Sequence, residues 1–345
     1  MIKWIKKYKK AAVCIGVLLI IAIAAAVWHR QQILSVTAYE MAADEERSDG
    51  PVENTFYTDQ LTQKEYKVYT QMLEHLDGRK GGIVAFEEPL TGEEYMRVTT
   101  ALEDTGNNYF YGFYDIPMDD SDVYVKYDNS DILKITDPQI TKCILFLSCA
   151  EGIDQQGEYG DDGTVLNLDS VGEALARNTD DGLTTIEHVQ NETEEILNGI
   201  LEGLDGEASK KEAISYFLVW LDENMTFASD VSENASSFSN MGQVFEGVTI
   251  YNDLSALSQG KATALGYAKI FAELCRQAGM DAHLVFGQWG RSSFTKESYV
   301  LCAVSLGEAT VYVDASGGKS AQLAGHRCMM EEEARNHMEF ASYFQ

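Results

Sequence analysis

Polar and apolar positions along this chain follow two rhythms, one helical and one alternating, and local signals mark where they change. Thr62-Gln63-Lys64-Glu65 opens a helix by reciprocal capping: the Thr hydroxyl accepts the amide three residues on, and Glu65 reaches back. Tyr66, Tyr69, Leu73 and Leu76 share its expected inner face, and Gly78 ends it. Thr91-Gly92-Glu93-Glu94 opens a second helix, with Tyr95, Val98 and Leu102 inward. From about Glu187 the pattern is helical again, with Ile196, Ile200, Leu201 and Leu204 on one face. Ser209-Lys210-Lys211-Glu212 caps the next helix, which turns Ala213, Ile214, Phe217, Leu218 and Leu221 inward. Between these helices, Ile83-Val84-Ala85-Phe86, the aromatic run Tyr109–Tyr114, Val123–Tyr127 and Ile144–Leu147 read as short strands. Aromatic residues in strands are most simply core and cross-strand partners, so the 109–114 cluster is not taken as a carbohydrate platform.

The densest pattern runs from Gly260 to Asp314. A Gly-bearing turn precedes a helix in which Ala264, Tyr267, Ala268, Phe271 and Leu274 recur on one face, and Gly279 stands where a left-handed cap would stop it. Three strand-like runs follow: Leu284-Val285-Phe286, Ser298–Val304 and Val311-Tyr312-Val313-Asp314.

This stretch resembles the catalytic core of the transglutaminase-like superfamily, a branch of the papain-like cysteine enzymes. Gly260, Lys261, Gly266, Tyr267, Ala268, Gly279, Gly287, Val313 and Asp314 fall into that family's order. The resemblance covers roughly residues 187–316 and is most specific at Gly-x-Tyr-Ala and Val-Asp. It implies a cysteine at the helix start, a histidine on the next-but-one strand and an orienting acid. Here Ala264 stands at the cysteine position, and the histidine position falls on Tyr299, or on Ser298 if the gap shifts by one; Asp314 keeps the acid. The order of elements before residue 150 resembles the N-terminal extension of exported bacterial members.

The family's reaction needs a thiolate made at a helix N-terminus and paired with an imidazole. Ala264 offers no nucleophile. Thr263 and Ser258 are nearby hydroxyls, but Tyr299 is a poor base near neutrality, because a phenol ordinarily titrates at about 10. Cys275 lies about three helical turns, roughly 16 Å, beyond Ala264. Cys302 points to the opposite face of its strand from Tyr299. His283 and His326 are read as structural. A Cys or Ser within hydrogen-bond reach of a His or Asp in this cleft would restore an enzymatic reading.

Composition narrows the partners. Of 345 residues 45% are hydrophobic, enough for a substantial core, and the formal net charge is -29. All six basic residues before position 31 precede the first acid, Glu40, leaving 20 basic against 55 acidic residues in the rest. Such a surface repels nucleic acid. Lys3, Lys6, Lys7, Lys9 and Lys10 precede an apolar run of 18 residues, Ala11–Trp28, bracketed by Trp4 and Trp28. That length and charge order predict a single span with the N-terminus cytoplasmic and the bulk of the chain outside. A cleaved signal at Ala24-Ala25-Ala26 is the alternative. Cys143, Cys149, Cys275, Cys302 and Cys328 form no Cys-x-x-Cys pair and read as small buried side chains. Asp161-Asp162-Gly163 has no Glu at loop position twelve and reads as a turn, so no metal is expected. No phosphate loop, zinc-protease or nucleotide fingerprint occurs, and no cofactor is expected.

The expected organisation is an α+β protein. Residues 1–30 form the basic start and membrane anchor, 31–54 a disordered stalk, and 55–186 an N-terminal α+β region. Residues 187–325 form the transglutaminase-like domain and 326–345 a helical tail. The expected function is that of a plasma-membrane-anchored, extracellular module that does not catalyse. Its cleft, at Thr263, Tyr267, Tyr299 and Asp314, would bind protein, peptide or cell-wall peptide, with the membrane met only through the N-terminal helix. A cysteine hydrolase or transamidase with rearranged residues, and a structural cell-surface scaffold, are the alternatives.

Overall fold

Reciprocal capping decides where the first helices begin. In the computed structural model, which describes residues 38–78, 82–105, 112–120, 139–148, 179–228, 253–290, 297–318 and 327–341, all three predicted capping pairs are formed. They start α1 (Gln63–Asp77), α2 (Gly92–Thr105) and, after α3 (Thr179–Glu202), α4 (Lys210–Asn224). Glu65 does more than cap α1: it is fully buried and accepts Arg97 Nε of α2 at 2.7 Å, which locks the two helices together. They pack on an antiparallel sheet of β1 (Gly82–Leu90), β3 (Ile140–Ser148) and β2 (Gly112–Met118), in the order β1-β3-β2. The inner faces of α2 and α4 are those expected. In α1 the stripe is rotated: Tyr66 is 52% exposed, and Val68 and Met72 are buried beside Tyr69 and Leu76.

The second half is built on α6 (Ala264–Gln277). It is reached through β4 (Thr226–Phe227), the short helix α5 (Ala256–Gln259) and β5 (Lys261–Ala262), which pairs in parallel with β4. Gly260 makes the turn before α6 in the left-handed region, at φ 59°. The helix leads into β6 (Ala282–Trp289), β7 (Glu297–Ser305) and β8 (Thr310–Val313), paired antiparallel in sequence order. Ala282, Leu284, Val300, Cys302, Val304, Val311 and Val313 turn one face of this sheet toward α6; Val285, Tyr299, Leu301 and Ala303 turn to the other. Tyr299 and Cys302 therefore lie on opposite faces, as their odd spacing requires.

Two expected boundaries are corrected. The tail 326–345, expected to be helical, supplies both edges of the five-stranded sheet: β9 (Cys328–Met330) on β8 and β10 (Met338–Phe340) on β6, joined by the short helix α7 (Glu331–His337). These three-residue strands are too short to carry a period. The stalk is likewise no stalk over 38–54. Arg47 donates to the carbonyls of Ala208, Ala278, Asp205 and Gly206 at 2.8–3.1 Å, Ser48 N donates to Gly279 O at 2.9 Å, and Val52 N donates to Arg276 O at 3.0 Å. Asp44 takes the Ser209 hydroxyl and the Lys211 amide at the start of α4. An acidic, aperiodic segment is held here by backbone and guanidinium hydrogen bonds, which leave no mark on hydropathy. Gly279 has the positive φ of a helix stop, 82°, and a Cβ there would also collide with the Ser48 carbonyl.

The two halves meet along a buried polar seam. Asp104, at the end of α2, accepts the Leu284 amide of β6 at 2.7 Å and faces Arg276 of α6. Among the described residues no helix is long and apolar enough to cross a membrane. The apolar run Ala11–Trp28, Val123–Tyr127, Cys149, Asp161–Gly163 and His326 lie outside the described residues.

Candidate functional site

Helix α6 starts where the sequence places it. Thr263 is its N-cap, in extended conformation, and its hydroxyl accepts the Gly266 amide at 3.4 Å. Ala264 is the first helical residue and is only half-buried, with its methyl group packed against the cluster that contains Tyr299. One turn on, Tyr267 is buried, with its ring 6.3 Å from that of Phe227 on β4. Burial, with Asp222 adding, pushes the Tyr267 hydroxyl up to about 12.

Tyr299 donates its hydroxyl to Asp314 Oδ2 at 3.0 Å, the contact expected if a tyrosine replaces a histidine oriented by this acid. Sequence reasoning missed the third member. Ser316 donates to Asp314 Oδ1 at 2.7 Å and lies 3.1 Å from the Tyr299 hydroxyl, and its own oxygen takes the Gly318 amide at 3.1 Å. The signal was present as Asp314-Ala315-Ser316-Gly317, a turn-forming run. Gly317 adopts φ 62° and donates its amide to the Asp314 carbonyl. Arg327 fixes the same turn from the far side. Its Nε donates to Asp314 O at 3.0 Å, Nη2 donates to Ala315 O, and Nη1 pairs with Asp222 at 2.6 Å.

The four residues expected to bind, Thr263, Tyr267, Tyr299 and Asp314, are thus gathered at one end of α6, but all four are buried. They support the surface rather than form it. The exposed feature beside them is Phe227, 38% accessible, within 3.9 Å of the Cβ direction of Gly318. Behind Tyr299, Trp289 packs at 5.3 Å between centroids, and His337 stacks on Trp289 at 5.5 Å.

No thiol reaches this point among the described residues. Cys275 and Cys302 are fully buried on the other face of the sheet, half-buried Cys328 packs on that same side, and Cys143 lies in the N-terminal core. Burial raises the thiols of Cys275, Cys302 and Cys328. His283 stacks on Phe56 at the seam, with ring centroids 3.7 Å apart. Ser258 is turned back to the Ser255 carbonyl. Among the described residues no group of three or more His, Cys, Asp or Glu could hold a metal ion.

The clasp yields a stability prediction. Tyr299→Phe keeps the ring and removes the hydroxyl, so Asp314 loses one donor in a buried site. A hydrogen bond to a charged group contributes about 1.5–3 kcal/mol, and urea unfolding should show a loss of that order. A loss below about 0.5 kcal/mol would mean that the clasp is solvated and exchanges freely with water.

No family model matches the chain, and no curated protein matches it. Among solved structures it is similar to one described as "Crystal structure of a TGase", with 13% identity and a TM-score of 0.32, over 52% of this chain and 42% of that one. The chain therefore spans less than half the length of that structure.

Proposed function

We propose that this protein is a transglutaminase-like module without thiol chemistry, carried outside the plasma membrane on its N-terminal helix, and that its altered cleft binds protein, peptide or cell-wall peptide. The observation that carries the reading is Ala264. It occupies the first position of a helix whose start faces a buried Tyr299–Asp314–Ser316 clasp. In a cysteine enzyme of this layout that helix start supplies the nucleophile and the acid orients an imidazole; here a methyl group and a phenol stand in their places. The half-buried Ala264 at the helix start and the exposed Phe227, stacked on Tyr267 one turn on, are the apolar groups offered to a ligand.

Ala264→Cys tests the geometry. A thiol at this helix start meets unsatisfied backbone amides and the positive end of the helix dipole, which favour the thiolate. The variant should react with iodoacetamide faster than an ordinary exposed cysteine, yet turn over no peptide or isopeptide, because among the described residues a phenol, Tyr299, stands where an imidazole would protonate the leaving amine. The Ala264→Cys/Tyr299→His double variant is the smallest change with a route to turnover. Iodoacetamide-sensitive turnover by the unaltered protein would overturn the proposal.

A second reading, a serine hydrolase, has one observation in its favour: Ser316 Oγ lies 2.7 Å from Asp314. Against it, that oxygen already donates to the carboxylate and accepts the Gly318 amide. A carboxylate is also far too weak a base to ionise a serine hydroxyl without an intervening imidazole. Ser316→Ala separates the readings. Ligand binding survives it if the protein is a binding module, and any hydrolysis disappears with it if the protein is an enzyme.

A further inference from the structure

Lys269, in the middle of α6, is only 4% exposed. Its ammonium contacts the carboxylate of Glu103 at the end of α2 and lies 3.8 Å from Oδ2 of Asp253, which is 1% exposed. Asp253 Oδ1 accepts the Leu254 amide at 2.7 Å, but Oδ2 accepts no hydrogen bond among the described residues. Lysine and aspartate are rarely buried this far unless fully paired, and here two carboxylates share one ammonium. Leu254 and Ile270, next in sequence to the two reacting residues, are wholly buried.

From this arrangement we infer that Lys269 and Asp253 condense into an intramolecular amide, with Glu103 carrying the proton. Glu103 takes a proton from the ammonium and frees the amine. Lys269 Nζ attacks Cγ of Asp253, forming the C–N bond, and the Cγ–Oδ2 bond breaks. With Asp253 reacting as the neutral acid, one ammonium proton stays on the amide nitrogen. One is delivered by Glu103 to the leaving Oδ2 hydroxyl, which departs as water with the proton it already carried, and the third remains on Glu103. No oxidant or co-reactant is needed. Burial holds the Asp253 carboxyl up to about 7, with Lys269 opposing and Glu103 adding to the rise, so the neutral acid is accessible near neutrality. Burial opposes the Lys269 charge, but the two carboxylates hold its ammonium above the ordinary value, so the amine is freed only as Glu103 takes its proton. Fixing two reactive groups side by side is worth effective molarities of about 10⁵–10⁸ M, which lowers the barrier to condensation. The product closes residues 253–269 into a covalent loop containing the Gly260 turn and the start of α6, so the bond would clamp the element that presents Ala264.

The test is peptide mass analysis of the full-length protein after tryptic digestion. In this sequence Asp253 falls in the fragment 212–261, and Lys269 in 262–276 if the bond after Lys269 is not cut. The expected product is those two fragments joined, lighter than their sum by one water. Lys269→Arg and Asp253→Ala should abolish the joined species, and Glu103→Gln should leave most of the chain unjoined. Recovery of free 212–261 and of 262–269 from the unaltered protein overturns the proposal, and the unaltered protein decides this even if a variant fails to fold. A joined species as abundant in Glu103→Gln as in the parent overturns the role given to Glu103.

Discussion

Arg276→Met should destabilise the protein by about 3–5 kcal/mol, the usual consequence of removing one partner from a buried ion pair. The guanidinium side chain is 3% exposed. It donates to Glu273 Oε2 through Nε and Nη2 at 3.2 and 3.0 Å, and to the carbonyls of Asp104 and Ala282 at 3.2 and 3.3 Å. Methionine fills the volume but leaves two buried carboxylates without their cation. Burial already lifts Asp104 to about 6 despite the opposing charge of Arg276, so its loss pushes that group further toward the neutral acid. Urea unfolding measures the effect. In Arg276→Met/Glu273→Leu, where one stranded charge is also removed, part of the loss should return. A single-variant loss below about 1 kcal/mol would mean that water enters the seam, since solvated pairs contribute only that much.

The second large effect depends on pH and belongs to His283. Burial, helped by the positive charge of Arg276, lowers its imidazole from 6.5 to about 4. The unfolded chain takes up this proton near pH 6.5, and the folded protein only near pH 4. Between those values the unfolded state binds more protons, so stability falls as the pH falls. At about 1.4 kcal/mol per unit the full loss is roughly 3 kcal/mol by pH 4, and above pH 6.5 the group contributes no pH dependence. Asp104, raised by burial, changes stability in the opposite sense over part of this range. The difference between the parent and His283→Gln at each pH isolates the histidine, because Asp104 is present in both. That difference should shift in favour of the variant as the solution is acidified. Parallel curves would mean that the ring is solvated and does not lie under Phe56.

Local chemistry was legible in the sequence and remote chemistry was not. The capping pairs are hydrogen bonds between residues three apart, so Thr62–Glu65, Thr91–Glu94 and Ser209–Glu212 could be read directly. The start of α6 could be read from its glycine turn, and the meeting of Tyr299 with Asp314 from the positions the two hold in the resemblance, where an acid orients a histidine. Lys269, Glu273 and Arg276 were illegible for a definite reason. Their spacing is that of a solvated helix face, and the groups that bury them, Glu103 and Asp104, come from a distant helix. Tyr66 was expected inside because aromatic residues usually are, but a phenol tolerates water, and the narrower residues Val68 and Met72 took the contact.

Strand β10 has a consequence for how the chain is made. It covers the free side of β6, and its carbonyl at Glu339 lies so close to Gly287 that a side chain there would collide with it. Synthesis runs from the N-terminus, so β6 and β7 are complete before residues 338–340 are made. Throughout that interval the β6 edge offers unpaired amides and carbonyls to any neighbouring nascent chain. A ribosome that stops short of β10 therefore leaves an adhesive edge rather than a slightly smaller domain, and glycine at position 287 keeps the berth open for a strand that arrives late.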